Sequence, residues 1–260
     1  MKIMLSFDVE EFDIPTEYGQ QIPDADQFSV SAAGMRNVLA LLERHDIQAT
    51  CFTTANFAQH EPELLEKMNE RCEIASHGCY HSSFEIGDLE KSRLALEAMC
   101  GQPVKGFRRA RFAQTCPKAI LQAGYSYNSS DNPIWMPGRY NNFFNPRTIY
   151  RQDGLLNMPI SASPILRVPL FWLAIKNFPK WLIRYASWHA MKVDGYLNIF
   201  FHPWEFADIS GYELPGVVKK RCGDAMLERL DWYVGWLKKR GEFVTMGEFE
   251  KQYRNIKSVT

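Results

Sequence analysis

The chain has 260 residues, of which 46% are hydrophobic and 23% charged, and its 30 Lys and Arg balance its 30 Asp and Glu. This composition is globular, which excludes a disordered chain, a collagen-like repeat and a long coiled coil. The balanced charge provides no net positive field, so we expect no nucleic-acid partner.

The sequence predicts neither a signal peptide nor a membrane span. The first residues reach Asp8 before an apolar region typical of a signal peptide forms. The longest apolar run, residues 168–175, contains Pro169 and is far shorter than the roughly 20 residues that span a membrane. We therefore expect a cytoplasmic protein without a transmembrane segment, and peripheral contact with a membrane stays open.

Short apolar runs alternate with longer amphipathic segments, which predicts alternating strands and helices. In chain order, the predicted strands are residues 2–7, 49–53, 72–76, 104–107, 125–128, 196–201 and 242–245. The predicted helices are residues 30–45, 62–71, 89–100, 117–123, about 180–191 and 224–239, followed by a terminal helix. Between them, residues 129–163 are rich in Asn, Pro, Gly and aromatic residues, which favours a long functional loop region.

The alternation of strands and helices favours a parallel sheet. So many strands without a linker favour a closed or nearly closed α/β barrel over two domains, and we predict a single domain over residues 1–260. In such barrels the active site lies at the carboxyl ends of the strands. Four polar clusters of the sequence fall where predicted strands end.

The first cluster is SFDVEEF, residues 6–12. On an extended strand Asp8 and Glu10 share one face, whereas Glu11 lies on the other. Two carboxylates on one face repel each other unless a cation lies between them or one is protonated. The alternative is a solvated acidic turn.

The second cluster is SHGCYH, residues 76–81, directly after a predicted strand. Its histidines, His77 and His81, are four residues apart and can direct both rings at one ion. Surface histidines also occur at this spacing by chance. Combined with the acidic strand end, however, the pair predicts a two-His, one-carboxylate metal site with open coordination positions.

The third cluster is GFRRARF, residues 106–112. Its arginines are consistent with a phosphate-binding patch, with a solvated corner, or with one arginine that orients a catalytic carboxylate.

The fourth cluster is NIFFHPWEF, residues 198–206. His202 ends an apolar strand and precedes Pro203, which places it at the rim of a barrel. A single histidine at such a rim is more often structural, and only the other clusters favour a catalytic role.

The order of FDVEE, SHGCYH, GFRRARF and FFHPWEF resembles the polysaccharide deacetylase (NodB-homology) family of carbohydrate esterases, in particular its DVE-motif branch. The resemblance runs from about Leu5 to Phe249. It implies a distorted (β/α)7-type barrel, the NodB-like polysaccharide deacetylase fold. It also implies a metal-dependent hydrolase that removes an N-acetyl group from a sugar or glycan intermediate.

The resemblance also implies a role for each matching residue. Asp8 corresponds to the catalytic base, Arg108 to the arginine that pairs with it, and His202 to the general acid. We expect Trp204 and Phe112 to contact the substrate. One divalent transition metal is implied, with zinc expected and cobalt, nickel or iron as alternatives; its ligands would be Glu10, His77 and His81.

The chain departs from the family pattern at three places. Glu10 is longer than the usual aspartate, and Ala110 stands where the third motif usually has proline. A further family motif, which is not among the four clusters above, is matched only loosely by residues 128–131 and by Trp135. Neither Asp131 nor Trp135 is therefore assigned a role.

Other functions remain open. One is a deformylase acting on a lipid-linked amino sugar, or another non-peptide C–N amide hydrolase on the same scaffold. Another is a catalytically silent carbohydrate-binding barrel, which the intact Asp8, His77, His81 and His202 argue against. Residues 164–172 favour barrel core and an aromatic lid over a sugar-stacking or membrane-facing surface.

Overall fold

A computed structural model describes residues 1–257 of the protein, and residues 254–257 by their backbone alone. Residues 258–260 of the predicted domain lie outside the described residues. The strands are β1 (Lys2–Val9), β2 (Ala49–Thr53), β3 (Cys72–Ser76), β4 (Gly106–Phe107), β5 (Tyr127–Asn128), β6 (Trp135–Met136), β7 (Tyr140–Asn141), β8 (Tyr150–Gln152), β9 (Leu155–Asn157), β10 (Tyr196–Phe201) and β11 (Glu242–Phe243). The helices are α1 (Asp24–His45), α2 (Ala55–His60), α3 (Pro62–Arg71), α4 (Asp88–Cys100), α5 (Pro117–Gln122), α6 (Trp172–Asn177), α7 (Lys180–Asp194), α8 (Gly216–Lys219), α9 (Asp224–Lys238) and α10 (Met246–Lys257).

The main sheet has the strand order β10-β1-β2-β3-β4-β5-β9-β8. All neighbours from β10 to β9 are parallel, β8 runs antiparallel to β9, and β11 pairs with the start of β1. Beyond β9, the amide of Ser161 donates to the carbonyl oxygen of Asn198 in β10 at 2.8 Å. This bond links the segment after β9 to β10, which lies at the opposite end of the strand order. The predicted α/β class with a parallel sheet is confirmed.

Strand β1 separates two packing layers. Its outward side chains join the core formed with the helices, and they are Ile3, Leu5, Phe7 and Val9. Its inward Met4 packs against side chains of neighbouring strands, among them Phe52, Ala75 and Tyr127. Because side chains alternate along a strand, Asp8 and Glu10 face the same way as Met4. The interior of the sheet is therefore apolar near the start of β1 and acidic at its end.

Several predicted elements are confirmed without change: the strands at residues 49–53, 72–76 and 196–201 and the helix at residues 62–71. Helix α1 begins at Asp24, six residues before the predicted start. Its first turn carries Asp24 and Asp26, which give no apolar periodicity but suit the positive end of the helix dipole.

The prediction of a loop over residues 129–163 is wrong in part. This segment contains β6 and β7, which pair with each other, and β8 and β9, which extend the main sheet. Strand β9 is fully buried but has only the residues Leu155–Asn157. A strand this short shows no alternation from which it could be recognised.

Helix α1 approaches the segment that follows β10 very closely. A Cβ at Gly34 would lie 1.9 Å from the carbonyl oxygen of Pro203, a backbone atom that cannot rotate away. One turn further along, the Nδ2 of Asn37 donates to the carbonyl oxygen of Phe206 at 2.9 Å. Helix α1 therefore holds the segment directly after His202 in place.

We expect Gly34→Ala to lower the free energy of unfolding by roughly 1–3 kcal/mol, the usual cost of overpacking. Gly235→Ala in α9 is the matched control, because its nearest neighbour would be the His45 Cε1 at an ordinary 3.9 Å. The control should be neutral or stabilising, since alanine favours helix over glycine. Urea unfolding compares the two, and equal stabilities would contradict the close contact of α1 with Pro203.

Candidate active site

The carboxyl end of β1 carries two buried carboxylates on the inner face of the sheet, Asp8 and Glu10. Glu11 points the other way, where it accepts hydrogen bonds from Thr54 Oγ1 at 3.0 Å and Asn56 Nδ2 at 2.5 Å. The structure thus brings Asp8 and Glu10 together and separates Glu11 from them, as the alternation predicts.

Glu10 lies between the two histidines of the second motif. Its Oε2 is 3.0 Å from the Nε2 of His77 and 3.3 Å from the Nε2 of His81. The three potential ligand atoms lie within 4.8 Å of one another. Within the described chain, the buried Glu10 Oε2 nevertheless has no hydrogen-bond partner. The oxygen and the two ring nitrogens therefore converge on a common point, and two imidazoles with one carboxylate suit a first-row transition metal.

A further carboxylate, Asp13, orients one of these histidines. Its Oδ1 lies 2.7 Å from the Nδ1 of His81, which leaves Nε2 directed at Glu10. Hydrogen bonding of the second ring nitrogen to a carboxylate is the usual support for a metal-binding histidine. Sequence reasoning missed Asp13, although it lies five residues after Asp8 in the same motif region.

The charges of this cluster keep Glu10 ionised. Burial acts against the charged carboxylate, but the positive charges of His81, His202 and His77 outweigh it and lower the pKa of Glu10 to about 2. Burial likewise opposes protonation of His81, but Glu10 and Asp13 raise its pKa to about 9. The site therefore has a strong attraction for positive charge at its centre.

Asp8 is paired with Arg108. The Nη1 of Arg108 donates to Asp8 Oδ1 at 2.5 Å, and neither side chain is accessible to solvent beyond a few per cent. Arg108 is held from the other side by Ser129, whose carbonyl oxygen and Oγ each accept a hydrogen bond at 3.0 Å. The guanidinium also lies 4.0 Å above the ring of Phe52. Arg108 is therefore the inward arginine of the third motif.

The other two arginines of that motif take different positions. Arg109 stacks on Phe84, with 3.6 Å between the guanidinium carbon and the ring centre. Arg111 lines the mouth of the cleft described below and lies 3.0 Å from Glu17 through its Nε. Of the alternatives that the sequence left open for this motif, the arginine that orients a carboxylate is thus Arg108, whereas Arg109 packs on an aromatic ring and Arg111 lines the cleft.

His202 lies on the opposite side of Glu10 from the motif histidines, with its Nε2 at 3.9 Å from Glu10 Oε1. Its Nδ1 is 3.4 Å from the Oε1 of Glu205, which also accepts the backbone N–H of His202 at 2.8 Å. Burial lowers the pKa of His202, but Glu205, Glu10 and Asp8 outweigh it, so that the pKa is raised. The surroundings of His202 therefore favour its protonated form.

Two residues that sequence reasoning missed complete this arrangement. They are Glu205 and, in α6, Lys176. Both side chains are fully buried, and the Nζ of Lys176 lies 3.0 Å from the Oε2 of Glu205. Burial opposes the charge on Glu205, but Lys176 and His202 lower its pKa. Lys176 occurs in a short apolar helix, and nothing in the local sequence connects it to Glu205.

Aromatic rings enclose His202. The Trp204 ring stacks on it at 5.0 Å between centroids and 21° between planes, and Trp172 meets it edge-on at 5.2 Å. Phe112 and Phe200 lie further along the same wall, 5.0 Å apart. All four of these rings line one cleft, and contact of Trp204 and Phe112 with the substrate stays a prediction.

The cleft has a volume of about 250 Å³, and Asp8, Glu10, His77, His81 and His202 all line it. Apolar side chains form most of its remaining wall, including Ile14, Met136, Tyr140, Phe171, Leu173 and Val218. Neither Asp131 nor Trp135 lines it: Asp131 accepts a hydrogen bond from the hydroxyl of Tyr150 at 2.8 Å, and Trp135 is 63% exposed.

The prediction for residues 164–172 holds only in part. Leu170 and Phe171 are buried core residues, and Trp172 covers the cleft. Ile165 and Leu166, in contrast, are 85% and 75% exposed at the surface.

The chain is thus an α/β protein whose sheet ends in a candidate metal and acid–base site. Residues 24–127 match the family model described as polysaccharide deacetylase. No curated protein matches the chain. Among helices of the described residues, none is both long enough and apolar enough to cross a membrane.

Solved structures resemble nearly the whole chain. A Mycobacterium smegmatis protein named as a polysaccharide deacetylase is 18% identical with a TM-score of 0.65, covering 98% of this chain and 91% of its own. A Pseudomonas aeruginosa protein named likewise is 13% identical with a TM-score of 0.64, covering 98% and 91%. An allantoinase is 14% identical with a TM-score of 0.64, covering 98% and 90%. These similarities confirm the NodB-like fold. The family model over residues 24–127 confirms the resemblance to the polysaccharide deacetylase (NodB-homology) family.

We predict that His77→Ala and His81→Ala each lower the affinity for Zn²⁺ more than tenfold, on the order of the 10–100-fold that outer-shell changes alone produce. His189→Ala, at a half-buried position of α7 that does not line the cleft, is the matched control and should bind the metal normally. Metal content after dialysis and calorimetric titration measure the effect. Unchanged metal binding in both variants would rule out the proposed ligands.

We predict that Lys176→Met lowers the free energy of unfolding by roughly 3–5 kcal/mol, because it leaves the buried Glu205 carboxylate without its cation. The double variant Lys176→Met/Glu205→Gln should regain much of this loss, since it removes both charges. A double-mutant cycle by urea unfolding provides the test, and additive effects would show that the two side chains do not interact.

Proposed function

We propose that the protein is a metal-dependent N-deacetylase acting on an acylated amino sugar or glycan intermediate. The single observation that carries this proposal is the convergence of three groups on one cleft: the paired Asp8, the Glu10–His77–His81 cluster and His202. These residues come from the ends of three strands: Asp8 and Glu10 from β1, His77 and His81 from the segment after β3, and His202 from the residue after β10.

The proposed mechanism divides the work among these residues. A divalent metal held by Glu10, His77 and His81 would polarise the amide carbonyl and lower the pKa of a bound water. Asp8, fixed by Arg108, takes the proton of the attacking water. His202 gives a proton to the departing amine, without which cleavage of the C–N bond is slow.

The surroundings support these two proton transfers. Arg108 holds Asp8 in one orientation through a short ion pair. Glu205 accepts at the Nδ1 side of His202, which directs its Nε2 towards the cleft. Trp204 and Trp172 pack on that ring and keep bulk water from it. A protonated imidazole is thereby positioned near the site of the leaving nitrogen.

A second candidate keeps this machinery and changes the amide. The mostly apolar cleft wall and the similarity in fold to an allantoinase support a deformylase or another non-peptide amide hydrolase. A silent carbohydrate-binding barrel fits less well, because it would have no need for the buried Lys176–Glu205–His202 chain of charges.

We expect His202→Ala to slow amide hydrolysis by roughly 10²–10⁴-fold, the usual range for general acid–base catalysis, while it keeps the metal. An activated acetyl ester should be affected much less, since its alkoxide leaves without a proton. Asp8→Asn should instead impair both substrates, because both need the water activated.

Acetate release by the metal-loaded protein from N-acetylated sugars and from the ester measures these effects. Equal damage to amide and ester in His202→Ala would contradict the role of general acid. No release from any acetylated sugar, with release from another amide, would favour the second candidate.

A further inference from the structure

Two arginines lie side by side at the mouth of the cleft, next to the candidate metal cluster. Arg111 follows β4, and Arg139 comes from the turn between β6 and β7; both line the cleft. Their side chains are 43% and 49% exposed. Glu17 lies between them, with its Oε1 at 3.0 Å from Arg111 Nε and its Oε2 at 2.9 Å from Arg139 Nη2. One carboxylate thus keeps two like charges together.

The two guanidinium groups retain unused donors. Each guanidinium carries five N–H bonds in a rigid fork. Within the described residues, Arg111 makes ion pairs through Nε with Glu17 and through Nη2 with Asp13, the latter at 3.5 Å. Arg139 does so through Nη2 alone. The remaining N–H groups of both side chains are free to bind an anion at the mouth of the cleft.

The backbone at Arg111 is strained in a way that favours a functional role. Arg111 and Phe112 are consecutive non-glycine residues with φ of 56° and 54°. Each such residue costs about 1–3 kcal/mol and persists where the surroundings enforce it, often at a binding site. This turn brings the side chains of both residues to the cleft.

The two arginines are also connected to the candidate metal ligands. Arg111 contacts Asp13, and Asp13 binds the candidate ligand His81. An anion on Arg111 would therefore lie close to the amide held at Glu10, His77 and His81.

We propose that Arg111 and Arg139, spaced by Glu17, bind a phosphate group attached to the acylated amino sugar. The substrate would then be a small sugar phosphate or sugar diphosphate rather than a neutral polysaccharide. Paired arginine forks match phosphate, which offers more acceptor oxygens than a carboxylate. This inference rests on the proposed deacetylase function.

The test compares three acetylated probes: N-acetylglucosamine, its 1-phosphate and its uridine-diphosphate derivative. We expect the wild type to have a lower KM for one or both charged probes than for the neutral sugar. The charged probe with the lower KM shows whether the site prefers a phosphate monoester or a diphosphate. Arg139→Gln should raise the KM for that probe by roughly tenfold or more, the effect of losing one charge-assisted hydrogen bond, and leave the neutral sugar unchanged. Arg111→Gln should raise the KM for that probe more than the KM for the neutral sugar, which it also affects because Arg111 contacts Asp13.

Arg36→Gln is the matched control, because Arg36 forms a similar ion pair with Glu61 at 3.1 Å and does not line the cleft. Equal KM values for the three probes in the wild type would overturn the phosphate site while leaving deacetylation intact. A loss that is equal for neutral and charged probes in both cleft variants would also overturn it.

A binding measurement separates this inference from the proposed function. If none of the probes is deacetylated, the proposed function fails, and calorimetry with glucosamine 1-phosphate and glucosamine then tests the phosphate site directly. Tighter binding of the phosphate, lost in Arg139→Gln, would support the site. Equal binding of both compounds would refute it.

Discussion

The burial of two carboxylates on one face of β1 is the constraint on which the candidate site depends. Asp8 and Glu10 are two residues apart, both inside the sheet, and both removed from water. A buried charge is tolerated only when it is paired and hydrogen-bonded. Asp8 meets this need with Arg108, whereas Glu10 is paired in charge with His77 and His81 but keeps an oxygen without a hydrogen bond, which a metal would fill. The polar residues of the other strand ends can be understood as partners of these two groups.

The order of the sheet provides those partners. Because β1 pairs with β10 on one side and β2 on the other, and β3 and β4 follow β2, the carboxyl ends of all these strands meet around the same interior. The segment after β3 contributes the histidines, the segment after β4 the arginines, and the segment after β10 the third histidine. Helix α1 then holds that last segment through the contact of Gly34 with Pro203.

The parts that could be predicted from the sequence are those with a local signature. Alternation along a strand placed Asp8 and Glu10 on one face, the spacing of His77 and His81 allowed both rings to face one ion, and their position after a predicted strand placed them near the carboxylates. Glu205 lies within the fourth motif and Asp13 directly follows the first, but nothing local distinguishes them from ordinary acidic residues. Their importance arises only from tertiary contacts.

Lys176 and β9 are two features that could not be predicted from local sequence patterns. The ammonium group of Lys176 meets Glu205, a residue 29 positions later, across the packing of a short helix on the end of β10. Strand β9 has three residues and gains its stability from β5 and β8 on either side. Sequence periodicity describes one element at a time, whereas these features depend on which elements become neighbours. They become evident only in the folded chain.

X-ray absorption spectroscopy of the zinc-loaded protein tests the central claim most directly, because it identifies the ligand atoms without depending on a substrate. The account predicts the scattering pattern of two imidazole rings, with nitrogen or oxygen ligands at about 2.0–2.2 Å. Cys79, within the second motif, is the nearest thiol in sequence and is not expected to bind. Sulfur at about 2.3 Å, or the absence of imidazole scattering, would contradict the proposed metal site.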